Sequence, residues 1–322
     1  LYQSALTANI MRWSASDGLQ NLGSFAGSNN STASALNADG SILGGKSGFT
    51  PGAFRAYTWS LDAGLVDTGT FAGAANYSIQ AFCANGSIAV GQSSVSASMH
   101  ATQWTFPGHV KDLGTLPGGF ISIASAINAD GSIIVGSSSA GTAAQHAVKW
   151  TAAGIAPLGG GDASVTSSGA IAINAQGDAI GGFGSRLGLD FAAIWTDALG
   201  MADLNALLPT LGINLSGWNL TKCVGVGPEG RVLIGDGIQN GKRRAWIAFD
   251  LPALSIRCSG DLTRDWLVND SDFGLFAVQY GVLECASEEM PASCSADLNA
   301  DGYVDDADFT TFVVAYDALI CP

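Results

Sequence analysis

Residues His100–Gly136, HATQWTFPGHVKDLGTLPGGFISIASAINADGSIIVG, decide the fold. A first segment ends at Trp104, a Gly turn follows at Gly108, and a second segment reaches Leu113-Gly114. A third segment of small and apolar residues runs to Asn128. Asn-Ala-Asp-Gly then leads into Ser-Ile-Ile-Val-Gly, where Ile133 and Val135 alternate as a strand requires. Asp-Gly and Asn-Gly supply the positive φ angles of tight hairpin turns. The stretch reads as two successive hairpins, four short strands in all.

The same unit recurs outward in both directions. Trp13, Trp59, Trp104, Trp150 and Trp195 are 46, 45, 46 and 45 residues apart. Gly45, Gly91, Gly136, Gly182 and Gly235 follow at 46, 45, 46 and 53. A single four-stranded sheet cannot bury both of its faces, so neighbouring repeats must cover them. The expectation is a mainly β chain: a five-bladed β-propeller of about 45-residue, four-stranded repeats, with six blades as the alternative. Recurrence at one framework position makes the Trp residues blade-core fillers. Cys83 and Cys223 read as buried free thiols.

Strand arithmetic leaves a remainder. Five units start at Trp13, and a sixth strand of the Trp kind spans Arg244–Phe249 with Ala248 in the Trp position. A five-membered ring has the strand around Trp13 to spare, and a six-membered ring lacks strands. Unpaired edges are templates for another chain. Exchange of a terminal strand between subunits therefore competes with a ring that closes its own ends.

Composition divides the chain. Apolar residues make up 47% and charged residues 12%, with 43 Gly among 322 residues, which suits a turn-rich β scaffold and not a disordered chain. Residues 258–322 hold 13 of the 27 acidic side chains and one base, Arg264, a net charge of −12; the other 257 residues carry −2. A near-neutral body excludes nucleic acid as a partner, since that binding needs clustered Lys and Arg. No apolar run reaches the length of a membrane span. The chain opens at Leu1 with no initiator Met and no basic segment, which reads as a mature, secreted chain after signal removal.

The acidic tail carries the strongest chemical motif. Asp297, Asn299, Asp301, Asp305 and Asp308 occupy positions 1, 3, 5, 9 and 12 of a twelve-residue loop, with the Tyr303 carbonyl at 7 and Gly302 at the turn position 6. Oxygen donors at that spacing wrap Ca²⁺. Phe309, Phe312 and Tyr316 then share one helical face. A weaker copy lies 36 residues upstream: Asp261, Thr263, Asp265, Leu267, Asn269 and Asp272, followed by Phe273, Phe276 and Tyr280, with Trp266 in place of the turn Gly. Four of the six cysteines flank these loops. They permit three connectivities, and the equal 27-residue separations favour Cys258–Cys285 and Cys294–Cys321.

Two resemblances follow from these residues. The pattern His/Arg-Ala-x-x-Trp, Leu-Gly-x-Leu, Ala-x-x-Asn-x-x-Gly and Val-Gly resembles the HAF family of extracellular repeats over residues 1–252. The insertion in the last unit, with Leu204-Asn205, Leu208-Pro209 and Trp218-Asn219-Leu220-Thr221, resembles that family's terminal repeat. The resemblance implies export and no defined chemistry. After a linker at 253–257, residues 258–322 resemble a dockerin, a small α-helical, EF-hand-like module of two loop–helix repeats, here similar to its cysteine-bracketed variety. Asp rather than Glu at position 12, Asp308, fits that resemblance. It implies docking to a partner domain or to the chain's own propeller; the competing reading is that calcium only folds the tail.

Chemistry-bearing residues are otherwise sparse. His100 and His146 precede Ala-x-x-Trp where Arg55 and Arg244 also stand, which marks framework rather than catalysis. His109 lies in a Pro-Gly-His turn, and Gly159-Gly160-Gly161 is turn material. No nucleophile elbow, zinc helix or phosphate loop is present. Sequons at Asn29, Asn30, Asn76, Asn85, Asn214, Asn219 and Asn269 would admit surface glycans in an exported chain. The expected function is a non-catalytic, extracellular structural protein, a repeating subunit of a surface fibre or coat, acting by self-association or on a cell-surface protein. The alternative is an adhesion module for glycans or protein, and a secreted hydrolase ranks third.

Overall fold

The computed structural model describes residues 8–25, 27–28, 30–49, 53–95, 98–141, 144–159, 164–197, 199–252, 254, 260, 262, 268–287, 290, 294–298 and 301–318. Asn29, Cys258, Asp261, Thr263, Asp265, Leu267, Asn299 and Cys321 lie outside them.

Each 45-residue period forms the expected strands. The first sheet is a hairpin, β1 (Ile10–Ser14) and β2 (Gly18–Gly23). Four complete antiparallel sheets follow in simple order: β3 (Asn30–Leu36), β4 (Ile42–Phe49), β5 (Ala53–Ser60), β6 (Gly64–Asp67); then β7 (Ala74–Phe82), β8 (Ile88–Val95), β9 (Ser98–Thr105), β10 (His109–Asp112). The third and fourth complete sheets are β11 (Ser122–Ile127), β12 (Ile134–Ser139), β13 (Gln145–Thr151), β14 (Gly154–Pro157) and β15 (Val165–Ile173), β16 (Ala179–Arg186), β17 (Leu189–Thr196), β18 (Gly200–Asp203). A short helix α1 (Leu204–Thr210), the inserted segment, precedes a three-stranded last sheet, β19 (Trp218–Val226), β20 (Leu233–Gln239) and β21 (Lys242–Ala248). Two helices end the chain, α2 (Asp270–Tyr280) and α3 (Asp306–Ala318). No helix among the described residues is long and apolar enough to cross a membrane.

The recurring Gly has a specific cause. In the first strand of every sheet from β3 to β19 the register skips one residue: Ser34, Gln80, Ser125, Ile171 and Val224 are left over opposite the second strand. Such a bulge pushes a carbonyl towards the partner strand. A Cβ at Gly45, Gly91, Gly136, Gly182 or Gly235 would lie 1.9–2.0 Å from the carbonyl oxygen of Thr32, Ser78, Ile123, Gly169 or Lys222. Only Gly permits that approach.

The recurring Asn closes the next turn. Asn37 Oδ1 accepts the Ile42 N–H at 2.9 Å, Asn128 that of Ile133 at 2.9 Å, and Asn174 that of Ala179 at 3.1 Å. Cys83 holds the equivalent place, and its Sγ accepts the Ile88 N–H at 3.2 Å. Beside the turn, the Asp39 and Asp130 carboxyls are held below the usual range by hydrogen bonds from Ser41 and Ser132. Consecutive turns are joined along the chain: Ala38 N–H donates to Ala84 O, Ala84 to Ala129 and Ala129 to Ala175, at 3.0, 2.9 and 3.1 Å.

A sulfur is a weaker acceptor than an amide oxygen, and Cys83 lacks the Nδ2 that Asn37 and Asn128 donate to Ser41 and Ser132. Ser87 stands ready in the equivalent place, 3.6 Å from the sulfur. Cys83→Asn should therefore stabilise the chain by about 1 kcal/mol and raise the thermal midpoint by roughly 2 °C. A midpoint that falls would show that packing of the thiol outweighs the turn.

Apolar clusters lie between successive sheets. Tyr77, Ile79, Phe82 and Trp104 pack on Ala56; Ala124, Ile127 and Trp150 on Val90 and Ala101; Ala170, Phe191 and Trp195 on Val135 and Ala147. The largest cluster joins β17, α1, the last sheet and the helix pair. Trp59, Trp104, Trp150 and Trp195 are buried as expected, with at most 8% of their surface exposed. Trp13 is not: 70% of it is exposed. Each buried Trp leans on the sheet before its own, and among the described residues no sheet precedes the first hairpin. Cys83 and Cys223 are buried and unpaired, and burial pushes the Cys223 thiol up to about 12.

Candidate functional site

The tail loop is built from its own hydrogen bonds. Asp297 accepts the N–H groups of Asp301 and Gly302 on its two oxygens, at 3.1 and 2.9 Å, and Asp301 accepts that of Tyr303 at 3.0 Å. Gly302 has φ +91°, the left-handed turn that position 6 demands. Tyr303 bridges to Glu284, with Cys285 N–H donating to Gly302 O and Val304 N–H to Leu283 O, so the loop is paired with the segment after α2.

Positions 9 and 12 do helix work. Asp305 accepts the Ala307 N–H while its own N–H donates to Asp308 Oδ2, at 2.8 and 2.9 Å. In the upstream copy Asn269 accepts the Ser271 N–H and donates its own N–H to Asp272. The upstream pair is a capping box, and at the start of α3 Asp305 caps the Ala307 N–H while Asp308 reaches back to the Asp305 N–H in the same manner. Asp308 is buried and its other oxygen accepts the Leu298 N–H at 2.7 Å, which ties the loop to α3. The donors are all oxygen, the set that suits Ca²⁺. Their carboxylates are spread over backbone partners: among the described residues only Cys285, Cys294 and Asp297 place three potential ligand atoms within 4.8 Å of one another. Those two sulfurs are joined to each other, which excludes them as ligands.

The Cys285–Cys294 bridge, Cα–Cα 5.4 Å, corrects the expected pairing of Cys285 with Cys258 and of Cys294 with Cys321. The 27-residue period reflects the loop–helix repeat. Pairing follows from the chain reversal after α2, which lays Cys285 beside the second loop and brings Cys294, nine residues on, back to it.

The two helices share the aromatic face read from the sequence. Phe276 lies 4.9 Å from Phe312 and 5.9 Å from Phe309, and Phe273 lies 6.2 Å from Phe312, centroid to centroid. Reciprocal hydrogen bonds pin the ends: Tyr280 Oη donates to Asp306, and Tyr316 Oη to Asp270. These bonds to carboxylates raise both phenols above their ordinary value. Phe273, Leu275, Val278, Phe309, Val313 and Val314 remain substantially exposed on the pair.

In the sheets, two of the charged framework positions are paired locally. His100 Nδ1 lies 2.8 Å from Asp112 and Arg55 lies 3.4 Å from Asp67, at equivalent places in successive repeats; Pro157 replaces the Asp beside His146. Of the sequons, Asn76, Asn85, Asn214 and Asn269 accept neighbouring N–H groups through Oδ1, while Asn30 and Asn219 lie exposed on β3 and β19.

No protein-family model and no curated protein matches the chain. Among solved structures, oligogalacturonate lyase in complex with manganese has a TM-score of 0.51 at 14% identity, over 76% of this chain and 72% of that one. TolB of Agrobacterium tumefaciens has a TM-score of 0.45 at 11% identity, over 75% and 89%. TolB of Acinetobacter baumannii has 0.41 at 15%, over 56% and 44%, so the chain spans less than half of that protein. The fold is mainly β and propeller-like.

Proposed function

We propose that the chain is a non-catalytic, extracellular structural protein: a five-membered propeller-type array that works by assembly into a surface fibre or coat, with a dockerin-like, calcium-binding tail. The observation that carries this reading is the pair of open apolar faces at the two ends of the array. Trp13, Met11 and Leu36 are exposed at one end and Ile234, Ile238 and Ile247 at the other. Exposed apolar surface of this kind marks interaction sites. Several polar side chains of the repeats serve the scaffold itself, in Asn-closed turns and His/Arg–Asp pairs. The Cys285–Cys294 bridge fits an oxidising, extracellular setting.

Asp297, Asp301, Asp305, Asp308 and the Tyr303 carbonyl, with Asn299, would hold Ca²⁺, and Asn269 and Asp272 belong to the weaker upstream loop. Calcium would gather these carboxylates and firm the helix pair, whose exposed apolar face then docks. That face also favours the second reading, an adhesion module for a cell-surface protein. Sedimentation velocity and negative-stain microscopy of the full chain in millimolar calcium should show assemblies that EGTA loosens or disperses. A monodisperse monomer under both conditions, at tens of micromolar, would overturn the assembly reading.

A further inference from the structure

The four junctions between successive sheets from β3 to β21 repeat one contact. The residue before the turn Asn or its equivalent packs on the residue just before the recurring Gly in the second strand of the preceding sheet. Phe82 meets Gly44, where an added Cβ would lie 2.7 Å from the ring; Ile127 shares a cluster with Val90, and Ile173 with Val135; Val226 meets Gly181, again 2.7 Å from an added Cβ. Applied to the whole chain, this rule leaves one residue of each kind over. They are Leu36 in the first complete sheet and Ile234 in the last, 60% and 42% exposed.

Their neighbours tell the same story. Ala33 is exposed where its equivalents Ile79, Ala124, Ala170 and Cys223 are buried. Ala245 is exposed where Ala56, Ala101, Ala147 and Ala192 are buried, and Ile247 where Ile194 is. At the turns, a Cβ on Gly86, Gly131 or Gly177 would touch Ile42, Ile88 or Ile133 of the sheet before. Gly40 has nothing within 4 Å, and Val232, the equivalent of those isoleucines, is exposed. Among the described residues, the first complete sheet thus has only the two-stranded β1–β2 hairpin before it, and the last sheet has no sheet after it. Among the described residues, the substantial contacts between sheets join only successive ones, and none of them joins β1–β6 to β19–β21.

We infer that the last sheet of one molecule packs on the first complete sheet of a second copy, Ile234 against Leu36, by the geometry of the four internal junctions. The contact is head-to-tail and does not close on itself, so it builds an open chain. A groove of about 430 Å³ beside β1, lined by Met11, Trp13, Ala33, Leu36, Gly40 and Leu43, lies where the incoming second strand belongs. β21 and β1 hold the same place in the repeat, so the incoming sheet takes that place from the β1 hairpin, which is seated on the first complete sheet through Ile10, Leu22 and Phe25. Pro228 stands where Ala38, Ala84 and Ala129 donate their N–H to the next turn and has none to give. The junction between copies forgoes that bond.

The inference rests on the assembly reading and names its interface. Because Leu36 and Ile234 are exposed, Leu36→Asp and Ile234→Asp leave folding intact; sedimentation velocity in calcium then decides. Each variant alone should stay monomeric to a concentration at least about tenfold above that at which the unsubstituted chain associates. An equimolar mixture should form dimers and nothing longer, since each variant keeps one competent end. Variants that assemble like the unsubstituted chain and disperse only in EGTA would overturn this interface while leaving assembly, through the tail, intact. An unsubstituted chain that stays monomeric, with both variants lowering its thermal midpoint, would show the ends meeting within one molecule and overturn both.

Discussion

Gly136→Ala is expected to destabilise the sheet region by about 3 kcal/mol, enough to melt it within the range of a routine thermal scan. The added methyl would sit 1.9 Å from the Ile123 carbonyl oxygen, and that atom is backbone in the bulged β11, while Gly136 is held in β12 between β11 and β13. No side-chain rotation relieves the clash, so β11 and β12 must part and give up ladder hydrogen bonds. Gly64→Ala is the control. Its φ is +65° but nothing lies within 4 Å of the new methyl, so it should cost only about 1 kcal/mol. Equal midpoints for the two variants would sink the account of the repeated Gly.

Asp308→Ala should loosen the helix pair by about 3 kcal/mol even in EGTA, because two N–H groups, those of Leu298 and Asp305, lose a carboxylate acceptor in a buried site. Calcium at about a hundredfold above its dissociation constant should add roughly 2.7 kcal/mol to the unsubstituted tail and nothing to this variant. Asp301→Ala, exposed in the loop, should forfeit the calcium gain and little else. Hydrogen exchange of the amides in 270–280 and 306–318 reads both effects. Protection of Asp308→Ala equal to that of the unsubstituted chain in EGTA would refute the capping role.

Much of this was legible in the sequence, and the gaps have physical causes. The spacing of Trp and Gly located the strands and sheets because each period folds by local hairpins. The same spacing could not say why Gly recurs: a bulge is a register property, visible only once two strands are aligned. Trp13 was expected to be buried because it looks like its four equivalents, yet burial of that position depends on the sheet before it. Cys83 read as a bland thiol, although aligning CANGS with NADGS places it on the turn Asn. In the tail, Asn269/Asp272 and Asp305/Asp308 were read as ligands, and their spacing of three is also that of a capping box. The cysteine pairing was missed because periodicity speaks of repeated units and not of which chain segments fold back on each other.

The bulge, its facing Gly and the Asn-closed turn all lie within one period, and each sheet leans only on its neighbours. Adding or deleting a whole period would therefore recreate junctions of a kind the molecule already contains, with no repacking elsewhere. Gene segments encoding such a protein can lengthen or shorten by duplication, and the resulting lineage would differ in reach long before it differed in architecture.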